Sequence, residues 1–551
     1  MHTDNELLQV KNKKGRSPLV GILTSVQEET ERSIILRGMC ITRLLKSSKH
    51  VDTDLLSVTT DKDAGAVGIS FGSRWGVKLP KGFALNTYEI RVDIENACRL
   101  DIQNKLILEY PDSAPGRILY RMADIKRGKN RNGKVVMRDG ISMYFRQSAY
   151  NSLGLTVRNS NFYDTPEGQA MIEEASRKAA GYDRDFILMY EKECERYEES
   201  ASVLYEKLID MGYDNIYYVV NEDNPRIAGL PERYRRNLVW KGSPEHLERF
   251  FACRAILSTE STEHAVQLRV ASKRIMDRTK SPDLEYVFLQ HGVMYMVSLN
   301  SELRAGFRRS PHRLHRIVVS SEAEADHFVD IGGLEREKLY VTGLAKFDRS
   351  VRYEDADRIV IMPTWRRWEH NEARDNLEET GYYRLVRTMY EAVPDELKEK
   401  TVILPHPLMA ERFGSENGLK DRILLGVSYD EVLKGCDVLI TDYSSIAYDA
   451  FYRGAKVVFC WQDKDECMEH YGEGSFLMLN EDNCFGPVCM NVDEISSAVR
   501  ECYMQEQSAE QRERFRHIVE FSDGRNSERI VEKLIEDGII DDRRNTKKDK
   551  E

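Results

Sequence analysis

Residues 437–449 read Asp-Val-Leu-Ile-Thr-Asp-Tyr-Ser-Ser-Ile-Ala-Tyr-Asp. An apolar run ends at Thr441, Asp442 stands where a helix cap would be, and the hydroxyls of Ser444 and Ser445 fall in the first turn that follows. Free backbone N–H groups, the positive end of a helix and two hydroxyls make a cradle for phosphate. A plain capped helix would explain Asp442 alone; it explains two serines and Asp449 further along less well.

Four other segments carry similar chemistry. Leu404-Pro405-His406-Pro407 holds an imidazole in an extended turn after TVIL, where it could donate to a diphosphate oxygen. Gln290-His291-Gly292 follows the run EYVFL. Gly292 allows a sharp turn, and His291 has the chemistry of a general base. A polar strand end is an equal reading of His291 without its context. Pro363-Thr364-Trp365-Arg366 ends another apolar run, and Arg366 offers a planar fork to phosphate. The stretch 304–316 (RAGFRRSPHRLHR) is a basic island in which Arg304, Arg308 and Arg309 could receive an anionic acceptor; a solvated loop is the plain alternative.

These segments need elements to hold them. Short apolar runs alternate with charged helical stretches from residue 183: DFILMY, NIYYVV, NLVW, AILS, YVFLQ, RIVVS and KLYVTG. A second series follows 355: RIVIMPTW, TVILPHP, DVLITD and KVVFCW. Such alternation predicts parallel sheets covered by helices, with ligands at the carboxyl ends of the strands. Before them, VGILTSV, SIILRGMCI, GAVGISFG and YEIRVDI predict a β-rich region, and Asn132-Gly133 ahead of KVVMRDGISMYF is a hairpin signal. TPEGQAMIEEASRKAAG reads as a helix. The expected organisation is a flexible N-terminus (1–16), a β-rich accessory domain (17–150), a linker helix (151–182), two α/β domains (183–350 and 351–535) and a charged tail (536–551).

Bulk properties agree with a large folded chain. The 551 residues are 41% hydrophobic and 31% charged, enough for about three domains. A net charge of −11 argues against nucleic acid as a partner. The ten cysteines show no CxxC spacing, so reduced, mostly buried thiols are expected, with no metal site and no cofactor. The first residues lack the apolar core of a secretory signal, and no run of about 18 apolar residues occurs. A cytoplasmic protein is expected, with any membrane contact peripheral and on the inner face.

Taken in order, Gln290-His291-Gly292, Gly343-Leu344-Ala345-Lys346-Phe347-Asp348, Pro363-Thr364-Trp365-Arg366, His406-Pro407, Asp437 through Asp449 and Asp523-Gly524-Arg525-Asn526-Ser527-Glu528-Arg529 resemble the CDP-glycerol glycerophosphotransferase family, the teichoic acid primases and polymerases. The likeness covers roughly residues 183–535. It implies a GT-B fold, two Rossmann-like domains facing a cleft, with an acceptor side at 183–350 and a CDP-donor side at 351–535. It implies a metal-independent transferase that moves glycerol phosphate or a related polyol phosphate from a CDP-activated donor, CDP-glycerol or CDP-ribitol-like, to an anionic polymer or lipid-linked acceptor. His291 and His406 would be catalytic. Thr364, Arg366, His406, Thr441, Asp442, Ser444, Ser445 and Asp449 would form the donor site. Departures from the family pattern are Val293-Met294-Tyr295-Met296 after His-Gly, Ala345 and Lys346 in the third motif, and no Gly-rich turn near Tyr190–Cys194. The competing readings are a GT-B glycosyltransferase using a nucleotide sugar and a non-catalytic envelope-assembly scaffold.

Overall fold

The computed structural model describes residues 19–30, 33–43, 57–60, 69–79, 83–93, 103–109, 116–119, 136–147, 153–299, 316–369, 376–406, 419–472 and 474–543. It divides into two compact units: residues 1–174 with 269–276, and residues 175–268 with 277–551.

The first unit is strand-rich. Its strands are β1 (Leu19–Thr30), β2 (Ser33–Arg43), β3 (Ser57–Thr60), β4 (Ile69–Leu79), β5 (Phe83–Asp93), β6 (Gln103–Glu109), β7 (Gly116–Leu119), β8 (Val136–Arg138), β9 (Ile141–Gln147) and β10 (Leu153–Asn159). They follow the order β4-β5-β2-β1-β7-β6-β10-β9-β8, with β3 on β6. The stretch read as a linker therefore begins with a strand, because LGLTVRN alternates across a sheet, and the helix runs Pro166–Lys178. The β8–β9 turn is made by Asp139 and Gly140, at φ 48° and 77°, the left-handed pair of a tight hairpin. Asn132-Gly133, the tail from 544, the first 18 residues and the basic loop 126–131 lie outside the described residues.

The second unit contains two parallel sheets. Strands β11 (Ile187–Tyr190), β12 (Ile216–Val220), β13 (Leu238–Trp240), β14 (Ala255–Ser258), β15 (Glu285–Phe288), β16 (Arg316–Val319) and β17 (Leu339–Val341) form a seven-stranded sheet in the order β13-β12-β11-β14-β15-β16-β17. Strands β18 (Arg358–Ile361), β19 (Thr401–Ile403), β20 (Cys436–Thr441), β21 (Lys456–Cys460) and β22 (Val488–Cys489) form a five-stranded sheet in the order β19-β18-β20-β21-β22. Every apolar run of the two series is a strand; the two-residue β22 had no signal of its own. Both sheets are doubly wound, so the strand order reverses between β11 and β14 and between β18 and β20, the two positions where ligands gather in such folds.

Continuous apolar strands mean that both faces are covered. Alternate residues show it. Val360 and Leu439 join the larger core, whereas Ile359, Ile361, Val438 and Ile440 pack with Tyr382, Val386 and Met389 on the other face. The larger core is shared between the sheets: it runs from Leu257 and Val318 through Leu344 and Phe347 to Tyr448, Phe485 and Phe515. The final helix, Asn526–Glu536, returns to the half built on the seven-stranded sheet, where Lys207 of the helix Ser200–Asp210 pairs with Glu528 at 2.8 Å.

Two motifs explain this return. Asp348 accepts the N–H groups of Asn526 and Ser527 at 2.8 and 2.7 Å, capping that helix across the fold. Gly343 is at φ 79°, and a Cβ there would lie 2.6 Å from the Asn526 side chain. The Gly343–Asp348 and Asp523–Arg529 segments are thus two halves of one joint. Among the described residues no helix is long and apolar enough to cross a membrane. The cysteines Cys194, Cys253, Cys436, Cys460, Cys467, Cys484, Cys489 and Cys502 are free and buried. Among the described residues no group of three or more His, Cys, Asp or Glu could hold a metal ion.

Candidate active site

At the switch point of the five-stranded sheet, the loops after β18, β20 and β21 are tied together by one buried ion cluster. Asp442 accepts the Thr364 N–H at 2.7 Å, the Tyr443 N–H at 2.6 Å and Arg366 Nη1 at 2.8 Å. Arg366 Nη2 reaches Asp463 at 2.6 Å, and Asp463 also accepts the Tyr443 hydroxyl at 2.9 Å. The Thr441 hydroxyl donates to the Met362 carbonyl at 2.6 Å. Arg366 is 2% exposed and Thr441 and Asp442 0%. These three residues were expected to line the donor site. In the structure their polar side-chain atoms are engaged with one another and with the neighbouring loops beneath the surface. Asp442 also does not cap the following helix: the cap position of Ile446–Tyr452 is Ser445, in αR conformation.

The charges in this cluster hold each other. Burial would weaken the charge on Arg366, but Asp442 and Asp463 push its pKa well above the ordinary guanidinium value. Burial likewise acts to raise Asp463, and the Arg366 charge with the Tyr443 hydroxyl brings it below the usual carboxylate range. What the cluster presents outward is the turn Ser444-Ser445, both half-buried. The Ser444 hydroxyl is only 3.4 Å from the Ile446 N–H. Thr364 is half-buried, and its hydroxyl oxygen is buried without a hydrogen-bond partner.

His406 follows β19. Its N–H donates to the Tyr382 hydroxyl at 3.1 Å, and its ring stacks on Trp365 with centroids 5.3 Å apart. His406 is therefore joined to the Thr364–Arg366 loop through an aromatic face. Pro407 lies outside the described residues, as do Arg304, Arg308 and Arg309.

The opposite wall comes from the seven-stranded sheet. Leu289 N–H donates to the Ser258 carbonyl at 2.8 Å, and Gln290 then turns at φ 56°. The Gln290 amide nitrogen donates to Val318 O at 2.6 Å. Beyond Gly292, the Met294 N–H donates to buried Glu324 at 2.6 Å. Segment 296–298 then pairs with 476–478, with Ser298 N–H to Phe476 O at 2.9 Å and Met478 N–H to Met296 O at 2.9 Å. The loop is thus held at both ends, and its tip presents an exposed His291.

Two contacts bring this tip to the serine turn. A Cβ on Gly292 would lie 3.0 Å from Ser445 Oγ, so the two loops approach closely here and a larger residue would push the serine hydroxyl aside. Lys346 Nζ sits 2.8 Å from the His291 carbonyl oxygen and 2.5 Å from Asp449 Oδ1. Asp449, expected to meet the donor, is 6% exposed and engaged with Lys346. The density of protein around His291, with the Lys192 and Lys346 charges, lowers its pKa to about 4. The imidazole is neutral near pH 7 and can accept a proton.

Sequence reasoning missed the turn after β11. Lys192, Glu193 and Cys194 are all left-handed, at φ 45°, 55° and 62°, a conformation costing about 1–2 kcal/mol per non-glycine residue. It is held by Glu193 N–H to Glu260 at 2.5 Å, Asn221 N–H to Cys194 O at 2.9 Å and Cys194 Sγ to Ala265 O at 3.3 Å. Glu260 also pairs with His264 at 3.2 Å. Just before the turn, buried Glu191 accepts the N–H groups of Glu198, Glu199 and Ser202. A carboxylate of the chain itself fills the end of the first helix, Ser200–Asp210, where doubly wound folds often seat a diphosphate. Burial, then the neighbouring Glu199, raises Glu191 to about 7. No sequence pattern announced this; the only hint was the missing glycine-rich turn.

Comparison with known proteins adds identity to this geometry. The family pattern described as CDP-Glycerol:Poly(glycerophosphate) glycerophosphotransferase matches residues 174–536. The teichoic acid poly(ribitol-phosphate) polymerase of Bacillus spizizenii is 26% identical over 265 residues, 42% of this chain and 40% of that protein. The minor teichoic acid biosynthesis protein GgaB of Bacillus subtilis is 21% identical over 199 residues, 33% of this chain and 22% of that protein. The chain thus matches less than half the length of either curated relative. Among solved structures, the wall teichoic acid polymerase TagF is similar with TM-score 0.48 and 16% identity, over 67% of this chain and 94% of that one. The calicheamicin glycosyltransferase CalG4 is similar with TM-score 0.34 and 12% identity, over 65% and 100%.

Proposed function

The chain belongs to the CDP-glycerol:poly(glycerophosphate) glycerophosphotransferase family, and from that premise we propose that it transfers glycerol phosphate, or a related polyol phosphate, from a CDP-activated donor to a teichoic-acid-like or other cell-envelope polymer. The observation that carries this reading is the meeting of Gly292 with Ser445. It brings the loop that carries His291 against the Ser444-Ser445 turn, and we read the two as the halves a phosphoryl transfer needs. We read the first sheet as the acceptor lobe (183–350) and the second as the donor lobe (351–535). Glu191 supports that assignment, because its carboxylate closes the equivalent anion position of the first lobe.

In this mechanism the acceptor hydroxyl gives its proton to His291 as its oxygen attacks the β-phosphorus. The bond from that phosphorus to the bridging oxygen breaks, and CMP leaves with the electron pair. Ser444, Ser445 and His406 hold the diphosphate. Thr364, with its unbonded hydroxyl, is a fourth ligand. Thr441, Asp442 and Arg366 fix the turn from below, and Lys346 with Asp449 fixes its distance from His291. Positioning and charge stabilisation supply most of the rate gain in reactions of this type.

Titration calorimetry with CDP-glycerol, CDP-ribitol and UDP-sugars tests the reading. Binding of a CDP-polyol alone supports it; binding of a UDP-sugar alone points to a glycosyltransferase, and binding of none to a scaffold. Ser444→Ala is expected to weaken donor binding by about 1–3 kcal/mol through loss of a charge-assisted hydrogen bond. An unchanged dissociation constant would remove Ser444 from the donor site.

The acceptor is read as an anionic or lipid-linked polymer, met at the inner face of the membrane, with residues 304–316 as the contact. Part of the native protein is then expected in the membrane fraction and released by salt, because a net charge of −11 makes general lipid attraction weak and leaves only a local basic patch. Full recovery without membranes at low salt would count against the contact.

A further inference from the structure

Lys192 stands at the end of β11, Glu260 at the end of β14 and His291 beyond the end of β15, three neighbouring strands of one sheet. The left-handed turn that carries Lys192 is pinned by Glu193 N–H donating to Glu260 at 2.5 Å. Lys192 Nζ lies 3.3 Å from Glu199 Oε1, with its side chain 41% exposed. An ammonium has three donors, so one such contact leaves it able to take a ligand.

Tyr429 comes from the other lobe, at the start of helix Tyr429–Lys434. Its flanking residues bind the first lobe directly: the Ser428 hydroxyl donates to Glu198 at 2.8 Å, and Arg226 Nη2 reaches Asp430 at 3.2 Å. Glu198 precedes Glu199, the partner of Lys192, so the Tyr429 end of this helix and the Lys192–Glu199 pair lie along the same seam between the lobes. The Tyr429 hydroxyl is buried without a hydrogen-bond partner. Such an orphan in an ordered cleft requires an explanation. The Lys192 charge acts on both the Tyr429 phenol and the His291 imidazole. Tyr429 is also within electrostatic reach of Tyr382, whose hydroxyl receives the His406 N–H.

We propose that Lys192 and Tyr429 are a further pair of substrate ligands, one from each lobe, that grip a phosphate group lying between His291 and His406. The inference rests on the transferase reading above and adds to it the residues that orient the phosphate from the acceptor side. Two phosphates fit: the donor diphosphate and the terminal phosphate of the acceptor. Lysine provides the charge, and the phenol, which burial keeps protonated up to about 12, provides a directed O–H donor.

The test uses the purified full chain, CDP-glycerol and a short poly(glycerol phosphate) primer. Lys192→Met is expected to weaken one substrate by about 10- to 100-fold, and Tyr429→Phe by about 3- to 10-fold. A weaker donor dissociation constant by calorimetry assigns the pair to the diphosphate. A raised primer KM with unchanged donor binding assigns it to the acceptor. Lys192→Arg is expected to restore part of the loss. Tyr429→Phe removes only an unbonded oxygen, so a packing role predicts no effect from it. Unchanged binding and KM in both variants would overturn the proposal, and so would Glu199→Gln reproducing the Lys192→Met defect, since that is the signature of a structural ion pair. Wild-type protein that uses no CDP-polyol would defeat the transferase reading and this inference with it. Active wild type with inert substitutions defeats this inference alone.

Discussion

His291→Ala is expected to cut turnover by about 10²–10⁴, the usual contribution of a general base, while donor affinity stays nearly unchanged. The separation follows from the assignment of roles. The donor is read as held by the second lobe, whereas His291 acts on the acceptor hydroxyl only as the bond forms. A group that works only in the transition state lowers kcat and kcat/KM together. His406→Ala is expected to damage donor binding as well as turnover, because it would touch the diphosphate both in the ground state and as charge develops.

The pH profile gives an independent check. With the His291 pKa lowered to about 4, the base form is full at neutral pH. The rate should then stay flat on its acid side until the pH approaches about 4, where protonation of the imidazole abolishes it. A histidine of ordinary pKa would show its acid limb near 6.5. Steady-state kinetics with CMP release as the readout decides between them. Wild-type CMP release by His291→Ala, with acceptor present, would withdraw the assignment.

The second large effect concerns stability. Arg366→Met should destabilise the fold by about 3–5 kcal/mol, because it leaves Asp442 buried without its counter-charge. Arg366 at 2% and Asp442 at 0% exposure have no water to fall back on. Denaturant unfolding measures the loss. Adding Asp442→Asn should recover part of it, since the stranded charge is then gone, although the N–H groups of Thr364 and Tyr443 keep an acceptor. A direct phosphate ligand would instead raise the donor KM with little change in unfolding, and that outcome would return Arg366 to the donor site.

The same cluster sets a sign for acid sensitivity. Asp463 is lowered in the folded state, so its pairing contributes stability above the unfolded carboxylate value of about 3.9, lost as pH falls through the lower folded value. The stability advantage of wild type over Arg366→Met should therefore shrink as pH falls through that window, because the pairing is lost in wild type while protonation relieves the stranded carboxylates of the variant.

Much of this was readable from the residues. The two series of apolar runs became two parallel sheets because strands covered on both faces must be apolar throughout, and that requirement is local. The ordered motifs, from Gln290-His291-Gly292 to Asp523–Arg529, were enough to point to the family. Types and spacing also placed His291, His406, Ser444 and Ser445 beyond strand ends, and there the structure has them.

Only the tertiary structure decided which polar groups are engaged and which are open. A guanidinium fork fits a carboxylate as well as a phosphate, so Arg366 could not reveal that Asp442 and Asp463, 76 and 97 residues away, claim both of its arms. Asp449 and Lys346 likewise find each other across the lobes. Gly343 is glycine because Asn526 of the closing helix crowds it, a demand made by a residue remote in the chain. The left-handed run Lys192–Cys194 has no sequence mark at all: no glycine or asparagine announces it, and contacts from Glu260, Ala265 and Asn221 impose it. Local patterns encode which elements form, because backbone and solvent act on every residue alike. The pairing of charges and the strain of a turn depend on distant partners, which only folding brings within reach.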